Sequence, residues 1–151
     1  MTVRGSHSVP GSPEQVYDLL WDASVLQDAI PGCQELTALG DGRYAMKMKV
    51  ALAALAGDFS GTVQLADGER PSRFRMTVEG NGRVGFLKGE GLLTLSPNGD
   101  STTVAYDGTV QIGGTMAAVG QRLLDASSKM MIRMFFDRFT KNASAAAGVQ
   151  G

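Results

Sequence analysis

Residues Ser101–Thr140 read STTVAYDGTVQIGGTMAAVGQRLLDASSKMMIRMFFDRFT, and the period of the apolar residues changes midway. Up to Ile112 they alternate: Val104, Tyr106, Val110 and Ile112 share one face, the pattern of a half-buried strand. Gly113-Gly114 interrupts it. Beyond, Met116, Val119, Leu123, Leu124, Met130, Met131, Met134, Phe135 and Phe139 return at helical spacing. The spacing predicts one long helix, capped by Thr115 and running to about Asn142. Its stripe is wider than a coiled-coil seam and suits a helix laid across a sheet.

Reading back from that switch, alternation dominates the chain. Tyr44, Met46, Met48, Val50 and Leu52 face one way and Lys47 and Lys49 the other. Phe59, Gly61, Val63 and Leu65 repeat the scheme, as do Phe74, Met76 and Val78. Asp41-Gly42, Asp67-Gly68 and Asn98-Gly99 are turn dipeptides at hairpin positions. Between Asn81 and Gly91 the glycines (Gly80, Gly82, Gly85, Gly89, Gly91) and the opposite parity of Phe86 and Leu93 predict a bulge or irregular crossing. Near the start, Val3, Gly5, His7 and Val9 share a strand face. Ser12 then caps a helix with Pro13 at its first position, and a second helical turn covers Val25 to Ala29 before Pro31-Gly32. The order is strand, two short helices, about six antiparallel strands and one long helix. No parallel crossover is needed, so the fold class is α+β, a curved antiparallel sheet around a terminal helix. Residues 1–143 form one domain, followed by a small, polar, flexible tail, 144–151.

Composition removes most enzyme classes. The chain has 151 residues, one cysteine (Cys33), one histidine (His7) and a net charge of −1. One cysteine excludes an internal disulfide and a cysteine-cluster metal site, and one histidine leaves a His-rich zinc site without ligands. The charge lacks the cationic surplus that nucleic-acid binding needs. No apolar run is long enough to span a membrane, and the alternating Thr2–Val9 stretch is no signal-peptide core. Cys33 has no nearby cation to activate it and reads as a small apolar residue. His7, on an apolar face, reads as a core histidine. Gly85 to Gly91 lacks the G-K-[ST] of a phosphate loop. Ala51-Leu52-Ala53-Ala54-Leu55-Ala56 is unusually apolar for a hairpin tip; it either packs on a neighbouring loop or forms a contact surface.

Ile30-Pro31-Gly32-Cys33, Phe59-Ser60-Gly61 and Gly85-Phe86-Leu87-Lys88-Gly89 resemble stretches of the CoxG family, the so-called G subunit of aerobic carbon monoxide dehydrogenase, within the helix-grip (START-like, SRPBCC) superfamily. The most specific match runs from Gly113-Gly114 through Gly120-Gln121-Arg122-Leu123-Leu124-Asp125 to Phe135-Phe136-Asp137-Arg138-Phe139, and the resemblance covers residues 1 to about 141. It implies a seven-stranded sheet gripping the last helix, with an apolar cavity between them. The strand candidates for that cavity are Tyr44, Met46, Met48, Phe59, Phe74, Met76, Phe86 and Tyr106. The helix candidates are Leu123, Met130, Met134 and Phe135. Leu52, Leu55, Leu87 and Met116 would line its entrance.

The resemblance also implies an accessory protein rather than an enzyme. It would have no cofactor of its own and would bind an apolar molecule, an isoprenoid quinone or another lipid, in the service of a molybdenum hydroxylase of the CO dehydrogenase type. The sequence ends at Gly151 without the apolar anchor of many members, so the expectation is a cytoplasmic protein in transient contact with the inner face of the membrane. Lys88, Arg122, Lys129 and Arg133 would supply attraction to anionic lipid. Two alternatives stand beside this reading: a small cyclase or hydrolase using His7 or Tyr106, and a docking adaptor with a filled core.

Overall fold

A computed structural model describes residues 1–51 and 56–146. Strand β1 (Thr2–Pro10) leads into helices α1 (Pro13–Leu20) and α2 (Ala23–Ala29). Six strands follow: β2 (Cys33–Gly40), β3 (Arg43–Val50), β4 (Gly57–Glu69), β5 (Arg73–Gly82), β6 (Gly85–Asn98) and β7 (Ser101–Gly113). A 3-10 turn (Thr115–Val119) then precedes helix α3 (Gln121–Ala146). The seven strands form one antiparallel sheet in the order β1-β7-β6-β5-β4-β3-β2. Only β1 pairs out of sequence, with His7 opposite Val104 and Gly5 opposite Tyr106. Register shifts in β2 and near the end of β4 bend the sheet, and α3 packs against β1 and α2 on its concave side.

Local chemistry explains the two short helices. The Ser12 hydroxyl accepts from the Gln15 N–H at 3.2 Å while the Gln15 side chain accepts from the Ser12 N–H at 3.0 Å, a closed capping box. α2 starts earlier than its apolar residues indicate because Asp22 Oδ1 accepts from the Ser24 and Val25 N–H groups at 2.9 and 3.3 Å. Together these helices fill one end of the sheet. Val16 and Leu20 of α1 and Leu26 of α2 are fully buried, and Tyr17 and Trp21 both set their rings edge-on to Phe74, centroids 5.5 Å apart.

Several expectations change. Asp67-Gly68 is not the hairpin turn but a bulge within β4; the chain reverses at Arg70–Ser72, around a cis Arg70–Pro71 bond. Gly85 to Gly91 is neither bulge nor crossing, because β5 and β6 pair without a register shift from Arg73↔Thr94 to Gly82↔Gly85. Phe86 therefore faces away from α3, 45% exposed, with its ring over Gly113 of the neighbouring strand.

The last helix does not begin at Thr115. Gly120 adopts φ +100°, a conformation L side chains avoid, and separates the 3-10 turn from α3. That turn is tied to the β5–β6 connection, with the Met116 N–H and the Thr115 hydroxyl both donating to the Val84 carbonyl, at 2.7 and 2.9 Å. Gly114 permits the contact, since a side chain there would strike the Gly85 backbone. Residues 144–146, read as tail, continue α3; the rest of that tail, like Leu52 and Leu55, lies outside the described residues.

Candidate functional site

The concave face of the sheet is packed at one end and open at the other. On β6, Leu87, Gly89, Gly91 and Leu93 point towards α3; on β7, Tyr106, Gly108 and Val110 do. Gly91 and Gly108 pair directly, and Gly89 pairs with Val78 on one side and Val110 on the other. Three neighbouring floor positions therefore carry no side chain. A Cβ built on Gly89 would meet nothing within 4 Å. Above this floor α3 presents Ser128, Met131, Ile132, Phe135 and Phe136, and Ile30-Pro31, leaving α2, closes one wall.

The result is an almost wholly apolar cavity of about 220 Å³, partly open to the surface. An apolar cavity of about 150 Å³ is enough to hold benzene, so this one suits a one- or two-ring group. Met76, Val78, Leu87, Met131, Ile132 and Phe135 border the void and stay half-buried, all but Leu87 also packing against the core.

The sequence candidates divide accordingly. Met48, Met76, Tyr106 and Phe135 border the cavity, and so does Leu87, expected at the entrance. Tyr44, Met46, Phe59 and Phe74 are instead buried in the close-packed core, Phe74 against Tyr17 and Trp21 and the Tyr44 hydroxyl donating to the Trp21 carbonyl at 3.3 Å. Met116 is buried in that core too. Leu123 and Met130 point outward, each 43% exposed, and Met134 is half-buried away from the cavity. The inward face of α3 is set one residue further on: Leu124, Ser127, Ser128, Met131, Phe135, Phe136, Phe139 and Ala143. Adjacent apolar pairs at 123/124 and 130/131 fit either phase. Among the residues missed are the three floor glycines, Val78, Leu93, Val110 and Met131, together with Ile30-Pro31, Ile132, Phe136 and Ser128. A signal for the floor exists in the sequence, since Gly89 and Gly91 share parity with Leu87 and Leu93.

A second, polar hollow of about 360 Å³ adjoins the first across Val3, Tyr106 and Ile132, lined also by Thr2, Arg4, His7, Lys129 and Arg133. The His7 ring stacks on Phe136, centroids 4.2 Å apart and planes 13° from parallel, with Tyr106 at 6.0 Å. Burial lowers the His7 pKa; Asp137 opposes that and Arg133 adds to it. Burial raises the Tyr106 pKa, so both groups are neutral at pH 7. Burial also pushes the Cys33 thiol up, leaving it a protonated donor to the Glu35 carbonyl rather than a nucleophile. Among the described residues there is no cluster of three metal-ligating His, Cys, Asp or Glu side chains, and no helix is long and apolar enough to cross a membrane. Lys88 lies 3.6 Å from the Glu79 carboxylate, both side chains about half exposed.

Residues 5–144 match the family model for CoxG, the G subunit of carbon monoxide dehydrogenase. The chain belongs to the CoxG family. A conserved protein from Geobacillus kaustophilus resembles this CoxG-family chain closely, with 31% identity and a TM-score of 0.92 over 97% of each chain. A START superfamily protein from Mycobacterium smegmatis is 14% identical, with a TM-score of 0.76 over 96% of this chain and 98% of that one. A Streptomyces aromatase/cyclase is 13% identical, with a TM-score of 0.66 over 95% and 93%. These last two establish the START-like fold alone. No curated protein matches the CoxG-family sequence.

Proposed function

We propose that the chain binds an apolar small molecule, an isoprenoid quinone or another lipid, between α3 and the β5–β7 floor. In this reading it serves as an accessory carrier for a molybdenum hydroxylase of the CO dehydrogenase type. The observation that carries the proposal is the apolar void above Gly89, Gly91 and Gly108. Filling it removes apolar surface from water at roughly 25 cal/mol per Å², so useful affinity needs no charged group. A volume of about 220 Å³ accepts a ring system, and a long tail would leave through the open side. The hydroxylase partnership is supported by the family's description as part of CO dehydrogenase.

Transfer at the inner face of a membrane fits the outward surface of α3. Exposed Leu123 and Met130 run beside exposed Arg122, Lys129 and Arg133, an apolar stripe next to a cationic one. The void counts against an adaptor with a filled core. A cyclase remains the competing enzyme reading, because His7 and Tyr106 sit together beside the cavity and a START-like relative is a cyclase.

Solvent extraction of the purified protein, followed by mass spectrometry, tests the carrier reading. A quinone or lipid recovered near one equivalent supports it. Catalytic turnover abolished by His7→Ala would replace it with the cyclase or hydrolase reading.

A further inference from the structure

The polar hollow beside the cavity lies between β1 and α3, and no carboxylate of a described residue lines it. From α3, Lys129 and Arg133 reach it one turn apart, and neither forms an ion pair among the described residues. Two like charges at that spacing weaken a helix rather than support it. From the sheet come the His7 imidazole and the Tyr106 phenol, and no hydrogen bond to another described residue holds either group. Gly5 of β1 gives the phenol its room, because a Cβ there would stand 2.6 Å from the Tyr106 hydroxyl oxygen. Arg4, the third cation of the lining, is paired with Asp107 at 3.2 Å. Asp137, one turn past Arg133, is near enough to act on His7 but does not line the hollow. The hollow therefore gathers donors and uncompensated positive charge, and the described residues offer nothing to receive them.

We propose that this hollow is an oxyanion site. The Arg133 guanidinium and the Lys129 ammonium take a carboxylate or phosphate group, and the Tyr106 hydroxyl and a His7 ring N–H complete its hydrogen bonds. The guanidinium fork fits two oxygens of such a group side by side, and charge-assisted bonds of this kind are the stronger ones. Val3, Tyr106 and Ile132 line the hollow and the apolar cavity alike, so one molecule can occupy both. The ligand class that follows is an amphipathic acid, its ring or chain in the cavity and its anionic head between α3 and β1. The oxyanion site stands without the cavity reading; only the apolar half of the ligand rests on it.

Isothermal titration at low salt with three probes separates the parts. 2-Naphthoate carries both features, 2-methylnaphthalene only the ring, and inorganic phosphate only the oxyanion. The proteins are wild type, Arg133→Gln, Tyr106→Phe and Lys141→Gln, the last removing an exposed α3 cation two turns beyond Arg133. Unchanged Tm confirms that each variant folds. The expected loss in naphthoate affinity is roughly tenfold or more for Arg133→Gln and roughly three- to tenfold for Tyr106→Phe. Lys141→Gln should change it less than twofold, and methylnaphthalene should bind every variant as it binds wild type. Naphthoate affinity unchanged in Arg133→Gln, or lowered as much by Lys141→Gln, would overturn the site, since the ring or diffuse surface charge would then account for binding. Phosphate failing where naphthoate binds identifies the occupant as the amphipathic acid. Phosphate binding as tightly, with the same Arg133 dependence, identifies a free oxyanion, and either result supports the site. Failure of methylnaphthalene alone would overturn the cavity reading and leave the site standing, whereas failure of both naphthoate and phosphate would overturn the site.

Discussion

Gly91 and Gly108 face one another across the β6–β7 ladder, both on the side turned towards α3. Beside them Gly89 also lacks a side chain, and the void above the three is the feature on which the functional reading depends. The glycines are not equivalent, however. A Cβ on Gly89 enters open space, whereas one on Gly108 collides with the Glu90 carbonyl oxygen and the Gly91 Cα.

That contrast gives a stability prediction. Gly89→Val places a β-branched residue in a strand with room to spare, and should stabilise by up to about 1 kcal/mol, raising Tm by roughly 2–4 °C. Gly108→Ala should instead destabilise by about 1–3 kcal/mol through backbone displacement. Thermal unfolding of the two variants checks both signs.

His7 predicts a pH dependence. Its pKa is lowered in the folded chain, mainly by burial, so the unfolded chain takes up a proton first as pH falls. Stability from the neutral ring is thus fully present above about pH 6.5 and lost as pH falls through the folded value. Denaturant unfolding between pH 8 and pH 5 should show this loss in wild type and not in His7→Phe, which keeps the stacking on Phe136. A His7 imidazole titrating above about 6.5 by NMR would contradict the assignment.

Asp22 holds the start of α2, and α2 delivers Ile30-Pro31 to the cavity wall. Its carboxyl pKa is lowered first by the Ser24 hydroxyl hydrogen bond, then by the backbone N–H groups of Val25 and Ser24. Asp22→Ala should cost about 1 kcal/mol at pH 7. Because a depressed carboxyl pKa contributes stability only above the usual carboxylate range, the difference from wild type should shrink as pH falls through it. Chemical denaturation at pH 7 and pH 3 measures the change.

The exposed α3 surface predicts salt-sensitive lipid contact. Each cation near an anionic bilayer is worth about 1 kcal/mol, so Lys129→Glu with Arg133→Glu should weaken sedimentation with phosphatidylserine vesicles by well over tenfold at low salt. Leu123→Ser with Met130→Ser should weaken it without changing the salt dependence. Binding unaffected by either pair would place the contact elsewhere.

Strand parity is legible in the sequence because a period of two leaves one choice of face, and the inward residues of β3, such as Met46 and Met48, follow it. Helix phase is not. Leu123-Leu124 and Met130-Met131 fit two phases, Gly120 restarts the helix, and the buried Ser127 and Ser128 interrupt the stripe that hydrophobicity would trace. The glycines of β6 are visible but ambiguous, since a bulge and an open floor have the same composition. Only the unbroken β5–β6 register separates them. Apolar spacing alone starts α2 at Val25, whereas its true start is set by the polar cap Asp22, which carries no apolar signal.

The void over Gly89 carries the ligand-site reading, and plugging it is the most direct test. Gly89→Leu extends a side chain into space that nothing else occupies, without a forbidden backbone angle. Isothermal titration of 2-methyl-1,4-naphthoquinone into wild type and Gly89→Leu, with folding confirmed by unchanged or higher Tm, compares an open cavity with a filled one. Measurable binding to wild type and at least a tenfold loss in the variant are expected if the void is the ligand site. Equal affinity for both proteins would contradict it.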